Sequence, residues 1–196
     1  MIAAGESKRK AYRDSGWWGD KTLADMFEAN ARTHPERVAL IDAPNRADFA
    51  FGAPQRLTYA ALAAEVERLA GALVAAGIGK DDVIVIQLPN IGEFVALYFA
   101  AARIGAVVSP VAVQYRSHEL STMFGIVEPK AFICGTQMKG ADHVGVVRPL
   151  LGERIRLMTV GPDAPADALD LSSAGASGPT VISRIRSPSR GRTTPT

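Results

Sequence analysis

The stretch VIVIQLPNIGEFVALYFAAARIGAVVSP, residues 83–110, decides the fold. Val83–Leu88 is apolar apart from Gln87, and a run without alternation describes a strand covered on both faces, as in a parallel sheet. Pro89 has no amide hydrogen to give a ladder and ends the strand. Asn90 can then cap a new helix, with Glu93 three residues on to return a bond to the cap amide. Phe94, Leu97, Tyr98 and Ala101 recur at helical spacing as a buried stripe, and Gly105 supplies the left-handed exit. Val107-Val108 restarts an extended run that Pro110 closes. Strand, helix, strand in this order is a βαβ unit.

The same grammar continues on both sides. Upstream, Thr58 caps a helix whose stripe is Leu62, Val66, Leu69, Leu73 and Val74 and whose exit is Gly77. Before it, Thr22 opens a short amphipathic helix with Leu23, Met26, Phe27 and Ala31, stopped at His34-Pro35. Val38–Ile41 reads as a strand and Asp42–Gln55 as a loop or loose hairpin. Downstream, a helix runs from about Ser117 through Met123 to Val127 and is closed by Pro129. Ala131–Cys134 is another buried strand, Asp142–Leu151 is helical despite Pro149, and Arg156–Val160 is a further strand ending at Gly161-Pro162. Buried strands alternating with amphipathic helices predict an α/β, doubly wound, flavodoxin-like layer structure. The chain divides into an N-terminal extension (1–21), this α/β unit (22–161) and a basic tail (162–196), with order expected to fade from about Ala164, where periodicity gives way to Pro, Ala, Ser, Gly and Arg.

The charge balance of 22 basic and 20 acidic residues conceals an asymmetry, because Arg184, Arg186, Arg190 and Arg192 sit in a stretch without acids. The remaining body is mildly acidic, which gives no reason to expect a nucleic-acid surface. Cys134 is the single cysteine, which rules out an internal disulfide and fits a reducing, cytoplasmic compartment. Residues 1–18 carry charges where a secretory signal needs an apolar run, and the apolar stretches at Val83–Leu88 and Phe94–Ala102 fall short of the roughly 20 residues of a membrane span.

Three stretches resemble adenylate-forming enzymes, and acyl-CoA ligases in particular. LTYAAL (57–62) is similar to the family's L-T-Y-x-E-L signature, with Ala61 where the family has Glu. VIQLPN (85–90) leading to Glu93-Phe94 is similar to a strand-to-helix turn of fatty and aromatic acid ligases. ARIGAVVSP (102–110), followed by Tyr115-Arg116 and His118-Glu119-Leu120, is the most specific of the three. The resemblance covers roughly Thr22 to Gly161. It implies the N-terminal part of an enzyme that converts a carboxylic acid, ATP and CoA to an acyl-CoA, AMP and diphosphate.

That reaction makes carboxylate an electrophile by attaching AMP and then lets a thiol displace it. The resemblance implies a Gly/Ser/Thr-rich loop with a Lys, a Mg²⁺-binding carboxylate and a mobile Lys from a C-terminal lid, all downstream of the part seen here. No residue of this chain is therefore assigned a catalytic, cofactor-binding or metal-binding role, and ATP, Mg²⁺ and CoA are implied only for the complete enzyme. SSAGASGPT (172–180) has the small residues of such a loop without its Lys or a preceding apolar strand, and reads as a linker. Gly77-Ile78-Gly79-Lys80 lacks Walker spacing and reads as a helix exit. His118 reads as a surface or capping residue, Cys134 as an inert buried thiol, and Trp17-Trp18 as a cover for an apolar patch or a partner contact.

The first expectation is thus a ligase fragment, inactive alone, its reading frame cut or shifted near residue 180 and its uncovered apolar surface inviting poor solubility or self-association. A non-catalytic α/β binding or assembly module stays open beside it. A nucleotide- or flavin-binding domain of another family stays open too, weakened by the lack of a G-x-G-x-x-G turn after a strand.

Overall fold

Strand β3 (Val83–Gln87) is buried at all five positions, as its lack of alternation requires, and so is β5 (Ala131–Gly135) beside it. The computed structural model describes residues 5–139 and 142–174. Its main sheet is parallel throughout, in the order β4 (Val107–Pro110), β3, β5, β6 (Arg156–Val160), β7 (Leu169–Asp170). The first crossover steps to one side of β3 and the next steps over it to the other, which is the doubly wound, flavodoxin-like arrangement.

Because side chains alternate along a strand, each strand feeds two cores. Ile84, Ile86, Ile133, Met158 and Val160 point to α2 (Leu23–Thr33), α3 (Tyr59–Ala75) and α4 (Gly92–Ile104), where they meet Leu69, Leu73, Leu97 and Ala101. Val85, Phe132, Cys134 and Leu157 point the other way, to Leu120 and Phe124 of α5 (Ser117–Val127) and Val144 and Val147 of α6 (His143–Leu151). Each fully buried Ile or Leu contributes about 1.5–3 kcal/mol relative to exposure, so the two layers hold the sheet from both faces.

Most caps follow from the residues. Thr22 accepts from Asp25 N at 3.1 Å and Asp25 accepts from Thr22 N at 2.8 Å, a reciprocal box. Thr58 accepts from Ala61 N at 3.2 Å, and Gly105 leaves α4 at φ 76°. The cap expected at Asn90 does not form: Ile91 is the cap residue, without a side-chain bond, and Glu93 turns away to another partner described below.

One element was not anticipated and one reading is corrected. Residues 6–14 of the extension form a helix, α1 (Glu6–Asp14), that no apolar periodicity announces, because none of its residues is buried. Order also does not fade at Ala164. The chain returns after Gly161 to lay β7 alongside β6, Leu171 N donates to Thr159 O at 2.8 Å, and the Leu171 side chain is fully buried. Two residues of ladder and one buried leucine are too short a pattern to register as periodicity, yet they hold the chain through Ala174. The arginines of the tail lie outside the described residues.

Candidate functional site

In an open α/β sheet the crevice outside the carboxyl ends of the strands, where strand order reverses, is the usual place for a ligand. Here that crevice lies at the ends of β3, β5 and β6, and the segment between β1 (Val38–Ile41) and β2 (Arg56–Thr58) is folded over it. The two strands pair antiparallel, so the stretch read as a loop or loose hairpin is a hairpin with a long tip. Ala50 bridges Met138, and Lys139 N donates to Phe49 O at 3.3 Å, which fastens the tip to the chain leaving β5.

Arg46 anchors the tip from inside. Its side chain is 1% exposed, with Nη1 2.5 Å from Asp42 Oδ2, Nη2 2.6 Å from Glu93 Oε1 and Nε donating to Phe51 O at 2.8 Å. The guanidinium also lies 5.3 Å from the centre of the Phe51 ring. Gln55 completes the set, its backbone amide donating to Asp42 and its side chain to Glu93, each at 3.0 Å. Burial pulls the Arg46 pKa down, but the bonds to Glu93 and Asp42 outweigh it and hold the guanidinium above its ordinary value. Sequence reasoning missed Arg46, because a single Arg in a Pro- and Asn-containing stretch looks like any solvated charge. The i, i+4 spacing of Asp42 and Arg46 was the signal available.

The half-buried Phe51 ring lies against the ends of β5 and β6. A Cβ placed on Gly161, whose φ is 110°, would stand 2.6 Å from Thr136 Oγ1 and 2.9 Å from Phe51, and one on Gly135 would stand 2.7 Å from Met138 and 3.4 Å from Phe51. Strand ends bare of side chains are thus used to seat the chain's own aromatic ring. The two carboxylates beside this crevice, Asp42 and Glu93, are turned to Arg46, Glu93 through Oε1, while Glu93 Oε2 is buried without a hydrogen-bond partner among the described residues. Among the described residues no group of three His, Cys, Asp or Glu could hold a metal ion.

A cleft of about 530 Å³ opens beside this network, lined by Gln55, Glu65, Arg68, Glu93, Val160 and Ser172 among others. Arg68 pairs with Glu65 and donates through Nη1 to Leu171 O at 2.6 Å and Ala174 O at 2.7 Å, so it fixes the chain where it leaves the sheet. The beginning of the Ser172–Thr180 stretch is structural: Ser172 Oγ accepts from Gly161 N at 2.7 Å, and Ser172 N donates to Asp170 Oδ1 at 2.8 Å. Its remainder, from Gly175, lies outside the described residues.

The other singled-out residues sit as bland readings expect, with one exception. His118 is exposed in the first turn of α5, where Glu119 accepts from Arg116 N at 2.9 Å. Cys134 is fully buried, and burial, with a smaller push from Asp142, raises its thiol to about 12. Gly77 makes the helix exit at φ 81°. The exception is the tryptophan pair: among the described residues Trp17 and Trp18 join neither apolar core and remain 76% and 43% exposed, resting on Tyr12 of α1. Gln87, the polar exception in β3, donates to Ala112 O at 2.9 Å and Tyr115 O at 3.0 Å and pins the loop between β4 and α5.

Comparison with known proteins agrees with this architecture. The medium-chain fatty-acid–CoA ligase of Escherichia coli (strain K12) is 34% identical over 184 residues, covering 92% of this chain and 31% of that protein. The apo structure of Mycobacterium smegmatis MbtA superposes with a TM-score of 0.70 at 27% identity, over 91% of this chain and 31% of that one. The N-terminal subdomain of Klebsiella oxytoca NpsA, solved with 3-hydroxyanthranilyl-AMSN, shares the fold with a TM-score of 0.56 at 22% identity, over 71% of this chain and 31% of that one. This chain thus spans about a third of the length of such relatives. The AMP-binding enzyme family matches residues 27–187, and the chain belongs to that family, as a piece of its N-terminal subdomain.

Proposed function

We propose that this chain is the scaffold-forming first part of an acyl-CoA ligase that joins a carboxylic acid to AMP and passes the acyl group to CoA, and that alone it completes neither step. The observation that carries the proposal is the hairpin tip laid against the strand ends, with Phe51 beside Gly135 and Gly161 and Arg46 buried beneath it, in a chain spanning 31% of its E. coli relative. Both chemical steps place negative charge on phosphoryl oxygens and need preset cations and amide donors around them. Here Arg46, the cation beneath the hairpin tip, is already engaged by Asp42 and Glu93. On this reading ATP, Mg²⁺, CoA and the acid are held by later residues of a complete enzyme, which serves fatty acid metabolism in the cytoplasm.

The choice of an acyl-CoA ligase within the family rests on the E. coli relative, whose similarity runs over 92% of the chain. A fragment of this kind leaves uncovered the faces a complete enzyme buries, and Leu23, Met26, Ile41 and Ile126 are exposed large apolar side chains consistent with self-association. Carboxylate-dependent exchange of labelled diphosphate into ATP tests the proposal. The chain by itself is expected to give background exchange with medium-chain and aromatic acids alike. Exchange that rises with acid concentration and saturates would overturn it.

A further inference from the structure

We propose that the N-terminal segment 5–21 is a docking arm for anionic membrane surfaces. Three observations carry this. First, the segment stands apart from the core: no residue of α1 is buried, and Trp17 and Trp18 fold back on α1 by donating their backbone amides to Tyr12 O at 2.9 and 3.1 Å. The three rings form one cluster, with centroids 5.6 and 5.1 Å from Tyr12, and that cluster is left to solvent. Amphipathic rings of this kind are the side chains that settle at the headgroup level of a bilayer. Second, at 3.6 residues per turn Lys8, Arg9 and Arg13 share one side of the helix with Tyr12, while Lys10 is on the other side, paired with Asp14 at 2.5 Å. Among the described residues Lys8, Arg9 and Arg13 form no ion pair.

Third, the charge is distributed against the rest of the chain. Residues 5–21 hold five basic and three acidic side chains, and 175–196 hold four arginines and no acid. Of the chain's 22 basic and 20 acidic residues, thirteen and seventeen are then left for the body. An anionic surface attracts the arm and repels the body, which orients the molecule arm-first. This inference does not depend on the ligase reading.

Both tryptophans of the chain are in the arm, so intrinsic tryptophan emission reports on it alone. The full chain is titrated with unilamellar vesicles of phosphatidylcholine containing about 30% phosphatidylglycerol, and with phosphatidylcholine alone. The expected result is a blue shift with the anionic vesicles only, weakened about tenfold in apparent affinity by Lys8→Glu, Arg9→Glu and Arg13→Glu together and reversed by high salt. The triple variant keeps the tail arginines, so binding through the tail would persist in it. Four results would each overturn the proposal: no shift, an equal shift with both vesicles, co-sedimentation without a shift, or a shift that follows protein concentration in the absence of lipid and so reports a protein partner.

Discussion

Arg46 is the residue on which the hairpin over the sheet depends, because one buried cation pairs with Asp42 and with Glu93 Oε1 and donates to the carbonyl of Phe51. Removing one partner of a buried pair leaves an uncompensated charge, so Arg46→Ala is expected to lower unfolding free energy by about 3–5 kcal/mol. Urea denaturation followed by circular dichroism checks this, and a loss below about 1 kcal/mol, the scale of a surface pair, would show that the network is not a latch. Cys134 gives a second expectation. With its thiol raised to about 12 and its side chain buried, it reacts with a disulfide reagent at pH 8 on the order of a hundredfold more slowly in the native chain than in urea. Fast native labelling would mean that the layer of α5 and α6 opens readily. Neither residue's environment can be read from its neighbours in the chain: Arg46 reaches Glu93 across 47 positions, and only the fold brings them together.

At the scale of elements, the long periodic segments were legible and the short ones were not. The strand, helix and strand of 83–110 emerged where hydrophobic spacing placed them, since each buries enough apolar surface for the pattern to be dictated. The Thr22 and Thr58 caps were legible for the same local reason. Asn90 was not, because Glu93 finds a stronger, charge-assisted partner in Arg46 than in a cap amide. β7 escaped notice because two residues carry no periodicity; its position is set by Leu171 and by Arg68, which holds Leu171 O and Ala174 O. Arg68→Ala is therefore expected to open the 161–174 segment to limited proteolysis that the unmodified chain resists there, with the core elements from α3 to β6 still protected. Asp170 gives this element a pH dependence. Burial would raise its pKa, but hydrogen bonds from Ser173 and Ser172 prevail and hold it below the ordinary carboxylate value. A depressed native pKa means that the contribution is present above the unfolded value, near 3.9, and is lost as pH falls through the lower native value. Protection of 161–174 should be level between pH 7 and 5 and fall below about pH 4, and Asp170→Asn should flatten that acid-side fall.

Taken whole, the molecule is a three-layer α/β unit whose β1–β2 hairpin is folded against the strand ends, with a body more acidic than its two ends. The architecture was legible because both cores are built from strands buried on two faces, whereas the seat of the hairpin tip was not, since it depends on Phe51 meeting Gly135 and Gly161 from distant parts of the sequence. Gly161→Ala tests that seat, as a side chain at φ 110° against Phe51 and Thr136 should cost about 1–3 kcal/mol in urea denaturation. No helix among the described residues is long and apolar enough to cross a membrane. Isothermal titration of the intact chain with Mg-ATP, and then with a non-hydrolysable acyl-adenylate analogue, addresses the central claim most directly. The hairpin tip laid against the strand ends predicts no saturable heat with either ligand. Stoichiometric binding of either one would mean that Phe51 and the hairpin yield to a nucleotide, and that this chain holds a working site of its own.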